Sequence, residues 1–183
     1  MLKKLKKLLT EMVPVILGIL IALFINNWKE STEDEQFLDR AFAAIDQEIE
    51  ENRTSIQNAL TTHENLMDTI GVYQNSGGKS LEAILIDTDG LKYSTVRNTV
   101  WKFFVGSKTE LIDYQVISQL SSIEESKLLM DAKFNKLMDF LYLHMDRNDP
   151  QSLRLFAIHL SNVMNSEQRL IEMYDEYLAG KED

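Results

Sequence analysis

The first 28 residues, MLKKLKKLLTEMVPVILGILIALFINNW, constrain this chain more than any other stretch. They open on a lysine cluster, turn apolar, and close on two asparagines and a tryptophan. From Met12 to Trp28 no residue carries a charge. About 17 residues at ~1.5 Å rise make a helix of roughly 26 Å. That is close to the shortest helix able to cross a bilayer. The apolar residues run all round the helix rather than down one side, which argues against a buried helix of a soluble protein. A cleaved signal peptide needs small residues before the cut. None is suitably placed, since Ala22 has Leu20 two positions before it. The segment is therefore expected to be a retained transmembrane anchor, residues 12–28.

Charge sets the expected orientation. Lys3, Lys4, Lys6 and Lys7 precede the anchor, whereas Lys29 is followed by Glu30, Glu33, Asp34 and Glu35. The positive flank stays on the cytoplasmic side. A single-pass protein of a bacterial inner membrane follows, with residues 1–11 as a basic amphipathic cytoplasmic tail and residues 29–183 as a periplasmic domain. The four lysines and Trp28 would be its interfacial anchors, Trp28 at the outer headgroup level. Pro14 removes one backbone donor and marks a bend between tail and anchor.

EMVPVILGILIALFINNWKE, Glu11 to Glu30, resembles the anchor of a family of uncharacterised single-pass membrane proteins common in Bacteroidota. The matching residues are Glu11, Gly18 to Leu23, Ile25, Asn26, Asn27, Trp28 and Glu30. Pro14 and Phe24 depart from the family pattern, which carries an aliphatic residue and Gln there. The match covers about 20 residues. It implies location and a helical extracytoplasmic domain, and it implies no chemistry.

Glu11, Val15, Gly18, Ala22 and Asn26 are spaced by four, three, four and four, so a helix places them on one face. Gly18 and Ala22 form a small-x-x-x-small pair, which admits close approach of a second helix. Asn26 can hydrogen-bond across such a contact. Glu11 falls near the inner interface, within one turn of Lys7. Ile16, Leu20, Leu23 and Phe24 face lipid.

The chain has 183 residues and a net charge of −10. Four lysines and Glu11 make the first 28 residues positive, so the remainder carries −13. So acidic a body repels phosphate backbones, and nucleic acid is not an expected partner. There is no cysteine, which rules out disulfides, thiolate metal sites and cysteine nucleophiles.

The body reads as all-helical, a bundle with one long first helix and a C-terminal hairpin. Leu38, Phe42, Ile45, Ile49, Asn52, Ile56, Leu60, His63, Met67 and Ile70 form the first helix's stripe. Two consecutive steps of four, Asn52 to Ile56 to Leu60, read as a stutter that breaks a regular coiled coil. Leu81–Ile86 is ambiguous, with Ser80 and Glu82 suiting a short helix start. Asp87 to Gly90 reads as a turn. A helix is expected from Thr95 to Val105 capped by Ser94, broken at Gly106 and Ser107, then another over Thr109 to Leu120. Ser122 and Glu125 suit a capping box. It would open a helix with Ile123, Met130, Phe134, Leu137 and Leu141 on one side. Asp149 and Pro150 start the last helix, with Leu153, Phe156, Leu160, Val163, Leu170, Tyr174 and Tyr177 buried and Gly180 as its stop.

Chemistry is sparse. His63, His144 and His159 show no metal-ligand spacing, and His63 reads as a satisfied core histidine. His144 and His159 flank the last turn at unequal distances. Asp87-Thr88-Asp89-Gly90 lacks the later oxygen ligands of a calcium loop. No catalytic set, metal site or cofactor motif is found, so no enzyme and no cofactor are expected. Trp101, Phe103 and Phe104 are a candidate partner contact wherever they stay exposed. The expected function is that of a non-enzymatic accessory or scaffolding subunit of a cell-envelope membrane complex, with lipid, other subunits or a second copy as partners. The alternative is a sensory or small-ligand-binding bundle acting through a membrane partner.

Overall fold

The computed structural model describes residues 2–75 and 78–180, with side chains described from residue 11 onward. Helix accounts for 86% of the chain, far above the ~30–35% of ordinary domains, and no strand occurs among the described residues. Among the described residues five α-helices follow one another: α1 Leu2–Tyr73, α2 Leu81–Asp87, α3 Thr99–Lys108, α4 Tyr114–His144 and α5 Pro150–Ala179. A short 3-10 turn, Thr109–Leu111, lies between α3 and α4. The chain divides into two compact units, Met1–Ala43 and Ala44–Asp183. Residues 29–43 thus group with the apolar segment rather than with the bundle.

In the second unit, three helices bury stripes of the same period. On α1 the buried positions are Ile45, Ile49, Asn52, Ile56, Ala59, His63, Leu66 and Ile70. On α4 the stripe runs Leu120, Ile123, Lys127, Met130, Phe134, Leu137 and Leu141, all buried except the half-buried Lys127. On α5 it is Leu153, Phe156, Leu160, Val163, Glu167, Leu170, Tyr174 and Tyr177. Steps of three and four alternate without exception in all three, the ~3.5-residue repeat of knobs-into-holes packing. The expected stutter is therefore absent. Ala59 and Leu66 take the seam positions, and Leu60 and Met67 lie half-buried beside them. Side-chain size misled the sequence reading at Leu60: a small residue fits where helices approach closely, and the larger leucine flanks it.

Leu66 and Ile70 join Phe134 to Leu141 and Leu153 to Val163 in one apolar cluster that also takes in Leu81 and Ile84 of α2. α1 therefore runs parallel to α4 and antiparallel to α5, with α2 closing the end where α4 turns into α5. Two N–H groups at the start of α2 donate to that turn, Leu81 to Arg147 O at 3.0 Å and Glu82 to Met145 O at 2.9 Å. The Ser80 hydroxyl accepts from Ala83 N at 3.2 Å, so the ambiguous Leu81–Ile86 stretch is a capped helix. Asp89 and Gly90, at φ 59° and 80°, make the turn after it.

The start of α5 is as expected. Asp149 accepts from Ser152 N at 2.9 Å and Ser152 Oγ at 2.8 Å, and Pro150 occupies the first turn. These bonds from Ser152 hold the Asp149 carboxyl below the usual carboxylate range. Gly180 is the C-cap.

The middle of the chain departs from expectation. Leu91 to Asn98 has no regular secondary structure, and α3 begins at Thr99 rather than Thr95. Ser94 is not its cap but a buried hydroxyl facing Met130 and Glu167. Gly106 and Ser107 lie inside α3, because one exposed glycine costs a helix only ~1 kcal/mol. Asp113, not Ser122, caps α4, accepting from Gln115 N at 2.7 Å. Ser122 sits well inside α4 and donates to Ser118 O at 2.8 Å.

Candidate functional site

In the first unit, α1 carries the apolar segment, and it is long and apolar enough to cross a membrane. Every residue from Glu11 to Trp28 is exposed, Phe24 at 70% and Trp28 at 68%. None of these residues is buried. The helical run places Glu11, Val15, Gly18, Ala22 and Asn26 along one face. A Cβ added to Gly18 would meet no atom within 4 Å, so that face is open to close approach. The side chains of Lys3, Lys4, Lys6 and Lys7, and the expected Lys7–Glu11 pairing, lie outside the described residues.

The aromatic candidates separate. Trp101 and Phe104 point into the bundle, 6% and 0% exposed, and offer no contact surface. Phe103, on the other side of α3, is 69% exposed. The helical turn explains the split: residues 101 and 104 share a face and 103 does not. His144 and His159 do not share a site either. Both rest on the Phe140 ring, at centroid distances of 4.1 and 5.3 Å, with the phenyl group as common neighbour. Among the described residues no cluster of three or more metal-ligating side chains occurs.

The buried polar residues of the seams do one job together: they hold the stretch from Leu91 to Asn98 against the bundle. His63 is fully buried on α1. Its Nδ1 lies 2.9 Å from Glu167 Oε2 on α5, and its Nε2 lies 2.8 Å from Lys92 O. A carbonyl oxygen only accepts, so Nε2 carries a proton and donates it. The contact of Nδ1 with the carboxyl then needs one further proton, on one partner or the other. His63 is thus the satisfied core histidine read from the sequence, and its partner is a glutamate that is 1% exposed.

Ser94 Oγ stands 3.5 Å from Glu167 Oε1, so a hydroxyl, a carboxyl and an imidazole sit side by side. Their connectivity is wrong for nucleophilic catalysis. The imidazole would have to receive the serine proton, but its two nitrogens face the carboxyl and a backbone carbonyl.

Toward the start of the bundle, Asn52 accepts from Arg97 N at 2.8 Å and donates to Arg97 O at 2.6 Å. Glu48 takes the first two N–H groups of α3, from Thr99 and Val100, at 2.9 Å each. α3 has no side-chain cap from its own Asn98. A carboxylate on another helix replaces it and meets the positive end of the helix dipole. Asn98 instead donates to Glu124 at 3.0 Å. Arg97 also pairs with Glu51. Tyr93 donates to Asp131 at 2.8 Å, and burial, together with that bond, pushes its phenol up to about 12.

Beneath Val96, Arg97, Asn98 and Trp101 lies a cavity of about 30 Å³, floored by Ile45, Ile49, Asn52, Leu120, Ile123 and Tyr174. Glu48 and Arg97 also border a wider surface groove of about 350 Å³.

Sequence reasoning missed Glu48, Asn52 and Glu167 as a set. A signal existed for Glu167. The expected stripe leaps seven residues from Val163 to Leu170, and Glu167 fills the vacant heptad position. Lys127 fills the same kind of gap between Ile123 and Met130. No comparable signal marks Glu48, which lies beside the seam. Compared with known protein families, curated proteins and solved structures, the chain has no match in any of the three.

Proposed function

We propose that this chain is a membrane-anchored accessory or scaffolding subunit of a cell-envelope complex. Residues 12–28 cross the inner membrane, the lysine-rich start stays cytoplasmic, and the helical bundle lies on the far side. The observation that carries this reading is the uncovered apolar surface from Met12 to Trp28. At ~25 cal/mol per Å² such a surface is costly to leave in water, and none of its residues is buried. The charge asymmetry around it, four lysines before and four acids soon after, gives the orientation. The similarity of residues 11–30 to anchors of single-pass Bacteroidota proteins agrees with it. Gly18 and Ala22 offer the anchor a packing face toward a second helix, from another subunit or another copy.

Two features weigh toward scaffolding rather than ligand sensing. The cavity under Val96 to Trp101, about 30 Å³, is an order of magnitude below the ~300–1,000 Å³ of small-molecule pockets, and the groove of about 350 Å³ beside Glu48 and Arg97, though within that range, is an open surface feature. The buried polar groups are spent on holding residues 91–98 in place rather than on lining an open site.

Cysteine cross-linking tests the packing face. With no native cysteine, single substitutions at Val15, Ala22 or Asn26 give clean probes. In native membranes they are expected to yield a discrete cross-linked product, and Leu20→Cys and Phe24→Cys on the opposite face are expected to yield none. Equal yields on both faces would contradict the packing face.

A further inference from the structure

We infer that the face of α1 from His63 to Asn52 is a docking track for an extended main chain, occupied by residues 91–98 as a strap and open to an extended segment of a partner protein once the strap lifts. The hooks of the track hold backbone atoms. His63 Nε2 donates to Lys92 O at 2.8 Å. Asn52 takes both backbone groups of Arg97, accepting from its N–H at 2.8 Å and donating to its C=O at 2.6 Å. Main-chain bonds of this kind supply affinity for an extended peptide, and pockets for alternate side chains supply selectivity.

The hooks are spaced for an extended chain. His63 and Asn52 are eleven residues apart, about three turns, so they share one face of α1. At ~1.5 Å per residue they stand about 16 Å apart along the helix. Lys92 and Arg97 are five residues apart, and at ~3.3 Å per extended residue they span about the same length. The strap therefore runs straight along α1 in the opposite direction. Its burial agrees: Ser94 and Val96 are buried, while Tyr93, Thr95 and Arg97 are exposed, the two-residue period of a strand. A helix face here takes the place of the sheet edge that usually binds such a chain.

The strap is weakly held by apolar packing. The cluster that joins α1, α2, α4 and α5 includes none of residues 92–98. Apart from buried Val96 and the edge of the Tyr93 ring against Phe134, its links are polar, among them Tyr93 to Asp131 and Asn98 to Glu124. Segments with few buried apolar contacts open locally while the rest of a fold stays closed. An outside occupant would carry the strap's own pattern: a small hydroxyl residue beside Glu167, and a branched apolar residue two positions on. The inference rests on the scaffolding reading for the source of that segment. Its test uses the track alone, so it can fail while the anchor holds, and the reverse.

The full chain in detergent, carrying Tyr93→Gly, Ser94→Gly and Val96→Gly, keeps the track and weakens its own strap. A fluorescent peptide of residues 90–99 is the probe. It is expected to bind this variant about tenfold tighter than the parent, or better. Methylating the peptide nitrogen of Arg97 removes the N–H that Asn52 accepts and is expected to weaken binding about tenfold. Thr95→Ala in the peptide is expected to leave binding unchanged. Equal binding to variant and parent, or indifference to the methyl group, would overturn the inference. Hydrogen exchange on the parent decides even where the variant does not fold. The Arg97 amide is expected to exchange about a hundredfold faster than the seam amides of α4 and α5. A common rate would mean that the strap leaves only when the bundle unfolds, and would overturn the inference as well.

Discussion

Residues 12–28 and 45–70 are both rich in large apolar side chains, and they dispose of them in opposite ways. In the first stretch the apolar groups circle the helix and all stay exposed. In the second they keep to one seam, where Ile56, Leu66 and Ile70 are fully buried by α4 and α5. The difference teaches what each stretch needs from outside. A seam of ~3.5-residue period asks for partner helices, and the chain supplies them. A surface apolar on every side asks for an apolar medium, and no residue of this stretch is buried in the structure.

Matched truncations give the sharpest way to break that contrast. Phe156→Ala in the α5 seam is expected to destabilise the bundle by about 3–5 kcal/mol, from lost burial plus the cavity left behind. Phe24→Ala removes the same side chain from the exposed segment and is expected to shift unfolding by no more than ~0.5 kcal/mol. Thermal or denaturant unfolding in detergent measures both. Comparable losses would mean that Phe24 is covered by protein after all.

The next largest effect concerns the polar residues of the seam. Glu167→Leu leaves His63 without its partner and is expected to cost about 3 kcal/mol or more. Adding His63→Leu removes the stranded group and should recover part of that loss, a coupling that a double-mutant cycle reads directly. Additive losses would show that the 2.9 Å contact between the two side chains contributes nothing to stability.

The bundle's skeleton was legible in the sequence because long helices repeat their signal many times over. The α5 stripe from Leu153 to Tyr177, the Asp149 and Pro150 start and the Gly180 stop all stand as read. What failed was local. Ser94, Ser122 and Gly106 carry standard start and stop chemistry, yet the structure puts none of it to that use. A cap signal is worth ~1 kcal/mol, and tertiary packing of Trp101 and Phe104 or of the α4 stripe outweighs it. The clasp of Glu48, Asn52 and His63 on residues 92–100 was not legible at all. It joins positions some 30 to 50 apart in the chain, and no periodic pattern encodes such contacts. The candidate packing face of the anchor was readable, since helical spacing alone defines it.

The smallest effect separates the ends of the helices from their seams. Asp149 caps α5 as a carboxylate, and its folded-state pKa is depressed by the bonds from Ser152. A depressed carboxyl contributes stability that is present above its unfolded pKa and lost as pH falls through the folded one. Asp149→Asn should therefore be less stable than the parent at neutral pH, with the gap closing as acid is added below the ordinary carboxylate range. Unfolding curves across that range check it. A gap of constant size would assign the effect to something other than the charge.

The central claim is that residues 12–28 hold the protein in a bilayer. Membranes from cells expressing the full chain, washed with alkaline carbonate, test it against a chain beginning at Lys29. The full chain is expected to stay in the membrane pellet until detergent is added, and the shortened chain to be released as a folded helical protein. A full chain that washes into the supernatant, or a shortened one that stays in the pellet, would contradict it.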